Sequence, residues 1–186
     1  MFDAKIRPFI DPPLDRLGGR LARANISANQ ITLLSVVAGL ASAFAIAGDS
    51  YGLALVLMAV SRVLDGLDGA VARATSPTDL GGYLDIVGDF VFYVSIPLAF
   101  AVTDNGNALA AAVLIASFTL TGISFLAYAV IAAQRNLQTQ AHGKKSFFYS
   151  TGLAEGTETI IAFACMCILP SYFVPIALTY AAICLI

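Results

Sequence analysis

Four aspartates interrupt two otherwise apolar stretches: Asp65 and Asp68 in one, Asp85 and Asp89 in the next, within the run LDGLDGAVARATSPTDLGGYLDIVGDF. A carboxylate in hydrocarbon is costly, so such residues face a cavity, pair with a cation and mark function. Asp65 and Asp68 are spaced i, i+3 and Asp85 and Asp89 i, i+4, so on helices each pair shares one face. If the two stretches run antiparallel about a turn near Pro77, Asp65 comes opposite Asp89 and Asp68 opposite Asp85. All four carboxylates then meet in one layer, with Asp68 roughly 9 Å from the helix end. Like charges that close disfavour one another, and one or two divalent ions remove the conflict. Oxygen ligands without Cys or His favour Mg²⁺, Mn²⁺ or Ca²⁺ over Zn²⁺. Gly66 and Gly69 flank Asp68, Gly81 and Gly82 open the second stretch, and Gly88 adjoins Asp89. Glycines there leave room for a ligand or a neighbouring helix. On spacing alone, metal-dependent phosphoryl or pyrophosphate chemistry stands beside a cation pathway or proton relay in a transporter, and beside glycines that merely pack helices.

The elements that carry these residues follow from composition. The chain has 186 residues, 59% hydrophobic and 12% charged, with mean hydropathy +0.83, where soluble domains carry about 25% charge. The fold class is therefore all-α integral membrane. A span needs about 20 apolar residues, and six segments qualify: 29–47, 51–74, 81–103, 107–133, 150–169 and 171–186. Residues 26–186 form one six-helix transmembrane domain, which carries the four aspartates. Residues 1–25 are a juxtamembrane segment, not a cleavable signal peptide, mixing Phe9, Ile10, Leu14, Leu17 and Leu21 with basic residues. Leu14, Leu17 and Leu21 share a helical face, so the segment reads as an N-terminal interfacial amphipathic helix, unless Pro12-Pro13 breaks it into a solvated lead-in. Ser27 or Asn29 can cap the first span, and Thr78 or Asp79 the third.

Charge orients the bundle. Lys5, Arg7, Arg16, Arg20, Arg23, Arg73, Arg135, Lys144 and Lys145 fall at one side, and the opposite connectors near Asp49, Asp104 and Pro170 hold no Lys or Arg. The positive-inside rule puts both termini and the aspartates at the cytoplasmic side. Cys165, Cys167 and Cys184 lie in apolar runs and read as small hydrophobes. His142 sits in a polar connector and implies no ligand role. A net charge of −2 gives no reason to expect a nucleic-acid partner.

The run Asp65-x2-Asp68-Gly69-x2-Ala72-Arg73-x7-Gly81-x3-Asp85-x3-Asp89 resembles the signature of the CDP-alcohol phosphotransferases, fixing eight positions over 25 residues. Asn29-Gln30-Ile31-Thr32 is similar to that family's Pro-Asn-x-Ile-Thr start, with Ala28 in place of the proline. The resemblance implies an enzyme of phospholipid synthesis in a bacterial or archaeal cell membrane. It would move a phosphatidyl group from CDP-diacylglycerol or a similar CDP-lipid to a small alcohol, and release CMP. By the family pattern, Asp65, Asp68 and Asp85 would hold two divalent ions, Mg²⁺ or Mn²⁺, with Ca²⁺ as a non-productive occupant. Asp89 would add a ligand and act as general base. Asp68, Gly69, Ala72, Arg73 and Gly81 would bind the CDP moiety, Arg73 touching a phosphate or anchoring its helix end. Relatives are commonly homodimers, and the small residues of 108–112 suit close helix packing. Alternatives are transfer of a phosphoalcohol from a soluble CDP-alcohol to a lipid alcohol, a prenyl transferase, and a small intramembrane cation transporter.

The acceptor is less legible. Arg62, one turn before Asp65, either reaches the same cavity or acts as counter-charge to Asp65. Arg135, Lys144 and Lys145 are candidates for an acceptor phosphate, and equally ordinary positive-inside charge. Glu155 and Glu158, i, i+3 at the start of the fifth span, either touch an acceptor or complement the helix dipole. Phe147-Phe148-Tyr149 reads as an interfacial aromatic belt, with a cation–π site for a choline-like group as the alternative.

Overall fold

The computed structural model describes residues 3–135 and 156–186, and these are all-helical. Seven α-helices follow in order: α1 (Asp3–Arg23), α2 (Ala28–Ala47), α3 (Tyr51–Ala74), α4 (Asp79–Thr103), α5 (Ala108–Gln134), α6 (Gly156–Ile168) and α7 (Phe173–Cys184). Short 3₁₀ turns precede α5 and α7. Ser27, one of the two expected caps, closes the start of α2 with a capping box. Its hydroxyl accepts from the Gln30 N–H, and the Gln30 side chain accepts from the Ser27 N–H. Thr78 caps α4 by accepting from the Gly81 N–H at 3.0 Å. The tight α1–α2 and α2–α3 connections place Asn25 (φ 60°) and Asp49 (φ 56°) in the left-handed region, which short polar side chains tolerate.

α2, α4 and α5 (with its preceding turn) are long and apolar enough to cross a membrane. The α6–α7 pair qualifies only together, across a 117° bend. α3 stands apart because it carries Arg62, Asp65, Asp68 and Arg73.

α2 organises the bundle. It packs on α3 through reciprocal hydrogen bonds: Ser35 Oγ donates to the Ser61 carbonyl and Ser61 Oγ to the Ser35 carbonyl, both at 2.9 Å. Ser42 Oγ donates to the Ala54 carbonyl at 2.9 Å. Small hydroxyl residues let membrane helix backbones approach while tying them together. On its other side α2 receives α4, where Gly88 lies against Val36 and Gly39 lies against Phe92. α3 and α4 therefore pack mainly on α2 and make little backbone contact with each other. The close α3–α4 hairpin suggested by the short turn is instead a splayed pair, and the space between the two is where the aspartates meet.

The opposite end is closed by aromatic rings. Phe100 stacks on Phe173 at 4.5 Å between centroids and on Tyr51 at 5.9 Å. A second series, Phe92–Phe163–Phe118–Tyr180, pairs edge-to-face nearer the aspartates. Each such pair adds about 0.5–1.5 kcal/mol to simple burial.

α1 runs as one helix through Pro8, Pro12 and Pro13. Gly18 rests on the Ala70 backbone of α3, and Leu14 covers Gly66. Leu14 and Leu21 join a small cluster with Ile31, Leu67 and Val71. Leu17, expected on that same face, is instead 42% exposed, because Gly18 takes the line of closest approach.

Candidate active site

Asp65 and Asp68, one turn apart on α3, meet Asp85 from α4. One carboxylate oxygen from each lies within 4.8 Å of the others. Asp68 is 5% exposed, and its Oδ2 is buried with no hydrogen-bond partner among the described residues. A buried, unpartnered carboxylate oxygen is expensive unless a cation meets it. Three oxygen donors at this separation therefore fit a hard divalent ion, and His and Cys are absent from the group.

Asp89 lies beside these three and shares Arg62 with Asp65. Its Oδ1 accepts from Arg62 Nη1 at 2.7 Å, while the same nitrogen lies 3.6 Å from Asp65 Oδ1. Arg62 Nη2 donates to Ser61 Oγ at 3.1 Å, and the guanidinium carbon sits 4.1 Å from the Phe92 ring centroid. Sequence spacing pointed to Asp65 as the partner of Arg62. The shorter pair is with Asp89, because a charge one turn before Asp65 also comes opposite α4.

A cavity of about 670 Å³ opens beside the cluster. Its polar wall carries Asp68, Asp85 and Asp89, together with Gly69, Ala72, Arg73 and Gly81. Thus the five positions expected to bind the CDP moiety all border the space, while Leu14 of α1 lies against Gly66 and Val36 of α2 against Gly88. Arg73 borders the cavity and also anchors α1, pairing with Asp15 Oδ1 through Nη2 at 2.7 Å and Nε at 3.3 Å. Both of its expected roles remain compatible with this position.

The other wall was not anticipated. Phe90, Tyr93, Phe118, Gly122 and Phe125 make it aromatic, with Thr121 and Thr159 adding hydroxyls. Thr159 Oγ1 lies 2.7 Å from Tyr180 Oη, and Thr121 Oγ1 donates to the Ser117 and Cys184 carbonyls. These residues come from α4 to α7, and only long-range packing brings them together. Gly122 amid an apolar run was the one local signal.

Of the acceptor candidates, Arg62 is buried behind Asp89 and does not border the cavity. Arg135 is exposed at the end of α5. Glu158 is half-buried on α6, next to cavity-lining Thr159. Lys144, Lys145 and Glu155 lie outside the described residues, as do His142 and Phe147–Tyr149.

Comparison with known proteins bears on this geometry. The model of the CDP-alcohol phosphatidyltransferase family matches residues 25–186. The chain is 40% identical over 185 residues to the inner membrane protein YnjF of Escherichia coli, a match covering 99% of this chain and 90% of that protein. It is 38% identical over 94 residues to the archaetidylinositol phosphate synthase of Pyrococcus horikoshii, across half of each chain. The enzyme of the same name from Methanothermobacter thermautotrophicus is 39% identical over 85 residues, covering 45% of this chain and 40% of that one.

Proposed function

Because this chain belongs to the CDP-alcohol phosphatidyltransferase family, we propose that it transfers a phosphatidyl group from CDP-diacylglycerol, or a similar CDP-lipid, to a small alcohol. The observation that carries this reading is the cluster of Asp65, Asp68 and Asp85 beside a cavity that Asp89 also lines. Asp65, Asp68 and Asp85 would hold two divalent ions, Mg²⁺ or Mn²⁺. When bound, these supply charge neutralisation to the pyrophosphate.

The chain's own residues do the rest. Gly69, Ala72 and Gly81 leave their part of the wall low enough for the cytidine to lie against α3 and α4. Arg73 offers a cation to a phosphate at the same rim. Asp89 accepts the proton of the acceptor hydroxyl as its oxygen bonds to the lipid-bearing phosphorus. The bond from that phosphorus to the CMP oxygen breaks, and CMP leaves with the electron pair. Proton transfer by a positioned side chain contributes about 10²–10⁴-fold.

The aromatic wall suits a donor whose acyl tails stay in lipid. Six membrane crossings, with residues 1–25 as an interfacial helix and both termini cytoplasmic, agree with the distribution of Lys and Arg. A homodimer packed through small-residue helix faces accompanies this arrangement.

The test is incubation of the purified protein in vesicles with labelled CDP-diacylglycerol, Mg²⁺ or Mn²⁺, and a panel of alcohols. The names of the two archaeal relatives add an archaetidyl-type donor and inositol phosphate to that panel. Acceptor-dependent release of CMP with a new phospholipid is expected. Release of pyrophosphate would point to a prenyl transferase, CMP release only from a soluble CDP-alcohol would reverse the substrates, and no turnover would favour a carrier.

A further inference from the structure

We infer that the outward face of α1 is a docking surface for the anionic headgroups of a lipid bilayer, held by Arg16, Arg20 and Arg23. The inference rests on the interfacial placement of residues 1–25 proposed above and extends it to one class of lipid.

Charge is sorted between the two sides of α1. Gly18 rests on the Ala70 backbone of α3, and Arg16 and Arg20 lie two positions to either side of it. At about 3.6 residues per turn, both point nearly the opposite way. Arg23 continues their stripe at i+7 from Arg16, and Phe9 begins it at i−7. All four residues are exposed, Phe9 to 81%. The carboxylates take the other side: Asp15 pairs with Arg73 of α3, and Asp11 precedes Asp15 by one turn. Among the described residues, the ion pairs belong to Arg62 and Arg73. The charge of Arg16, Arg20 and Arg23 is therefore presented outward.

A second observation says what covers this face. Ile10 and Leu17, each one residue on from Phe9 and Arg16, make an adjoining stripe with 48% and 42% exposure. Water or an acidic protein would satisfy the arginines but not these apolar side chains. The boundary between headgroups and acyl chains takes both, because guanidinium groups fork onto phosphate while the apolar side chains enter the acyl layer. Basic residues held at that depth favour anionic over zwitterionic lipid. The position matters to the site as well. Ala22 in the last turn of α1, and Asn25 and Ile26 just after it, line the cavity. Docking of α1 thus holds the cavity mouth at headgroup level, the depth at which the anionic diphosphate of a CDP-lipid lies.

The chain contains no tryptophan, so Phe9→Trp places a single indole in the arginine stripe. The full-length Phe9→Trp protein is reconstituted into bilayers of equal parts phosphatidylcholine and phosphatidylglycerol, with brominated acyl chains on one lipid or the other. Bromine on phosphatidylglycerol should quench the indole more strongly than bromine on phosphatidylcholine. Adding R16Q/R20Q/R23Q should make the two lipids equal quenchers. High salt should narrow the difference with the arginines in place, since exposed charges are screened, and this arm carries the test if the triple variant does not fold. Val102→Trp, at a position 69% exposed near the far end of α4, should be quenched equally by both lipids.

Equal quenching in Phe9→Trp, a preference that survives both R16Q/R20Q/R23Q and high salt, or the same preference in Val102→Trp would overturn the inference. Quenching by neither lipid would overturn the interfacial placement with it and leave the arginines to a soluble acidic partner. None of these readouts needs turnover, so the proposed transfer reaction stands or falls separately, on release of CMP by the unsubstituted protein.

Discussion

The ring of Phe90 on α4 lies directly over Gly122 on α5, occupying the space that any side chain at position 122 would need. Both residues border the cavity. The contact therefore sets how far apart two membrane-capable helices stand where they wall the site, and it fixes a ring at the aromatic end of that wall.

Gly122→Ala should consequently alter the site more than the fold. Inserting a methyl into a filled contact costs about 1–3 kcal/mol when the surroundings cannot yield. Here Phe90 can yield by swinging into the cavity. We expect a small drop in Tm and a clear rise in KM for the lipid donor, both largely reversed in Gly122→Ala/Phe90→Ala. Thermal unfolding in detergent with donor titration checks this. A large Tm loss with unchanged KM would place the strain in the bundle instead.

Asp68 should be the residue whose neutral variant separates stability from activity. Its buried Oδ2 has no hydrogen-bond partner among the described residues, and Asp65 and Asp85 are its near neighbours. Removing that charge relieves repulsion in the metal-free protein. Asp68→Asn should therefore unfold at an equal or higher temperature than wild type in chelator, yet lose turnover. Saturating Mg²⁺ or Mn²⁺ should raise the wild-type Tm, by linkage worth about 2.7 kcal/mol at a hundredfold excess over Kd. The same addition should leave Asp68→Asn unmoved. Chelation that spared wild-type activity would contradict the metal scheme.

What the sequence made legible was local. Helix boundaries from 28 to 134 could be read closely because capping residues and apolar runs are short-range signals, as with Ser27 and Thr78. The convergence of Asp65, Asp68 and Asp85 was legible because helical period and an antiparallel register are fixed by spacing. The pairing of Arg62 with Asp89 was not, since spacing gives two carboxylates within reach and only the splay of α3 and α4 over α2 chooses between them. Nor was the aromatic wall, whose members run from Phe90 on α4 to Phe125 on α5 and meet only through tertiary packing.

Asp89→Asn should remove turnover while sparing nucleotide binding. Asp89 lies beside the cluster of three and is paired with Arg62, so amidation removes a proton acceptor without removing one of those clustered oxygens. A kcat loss of about 10²–10⁴-fold is expected, with donor affinity changed little, as read by equilibrium binding of labelled CDP-diacylglycerol in Mg²⁺. Parallel loss of both would make Asp89 a ligand first.

The attachment of α1 distinguishes packing from charge. Arg73 and Asp15 form its ion pair, but the two side chains are 41% and 52% exposed, and exposed pairs contribute about 0–1 kcal/mol. At Gly18 a Cβ would stand 2.8 Å from the Ala70 carbonyl carbon and 3.0 Å from the Val71 nitrogen. Backbone atoms of a packed helix cannot yield as a side-chain tip can, so Gly18→Val must lift α1 off α3. Limited proteolysis should release the first helix rapidly from Gly18→Val and at nearly the wild-type rate from Asp15→Ala. Because Arg73 also borders the cavity, Asp15→Ala should leave that arginine free to turn toward a bound phosphate, holding donor KM at or below the wild-type value. Rapid release from Asp15→Ala would instead make the ion pair the principal attachment.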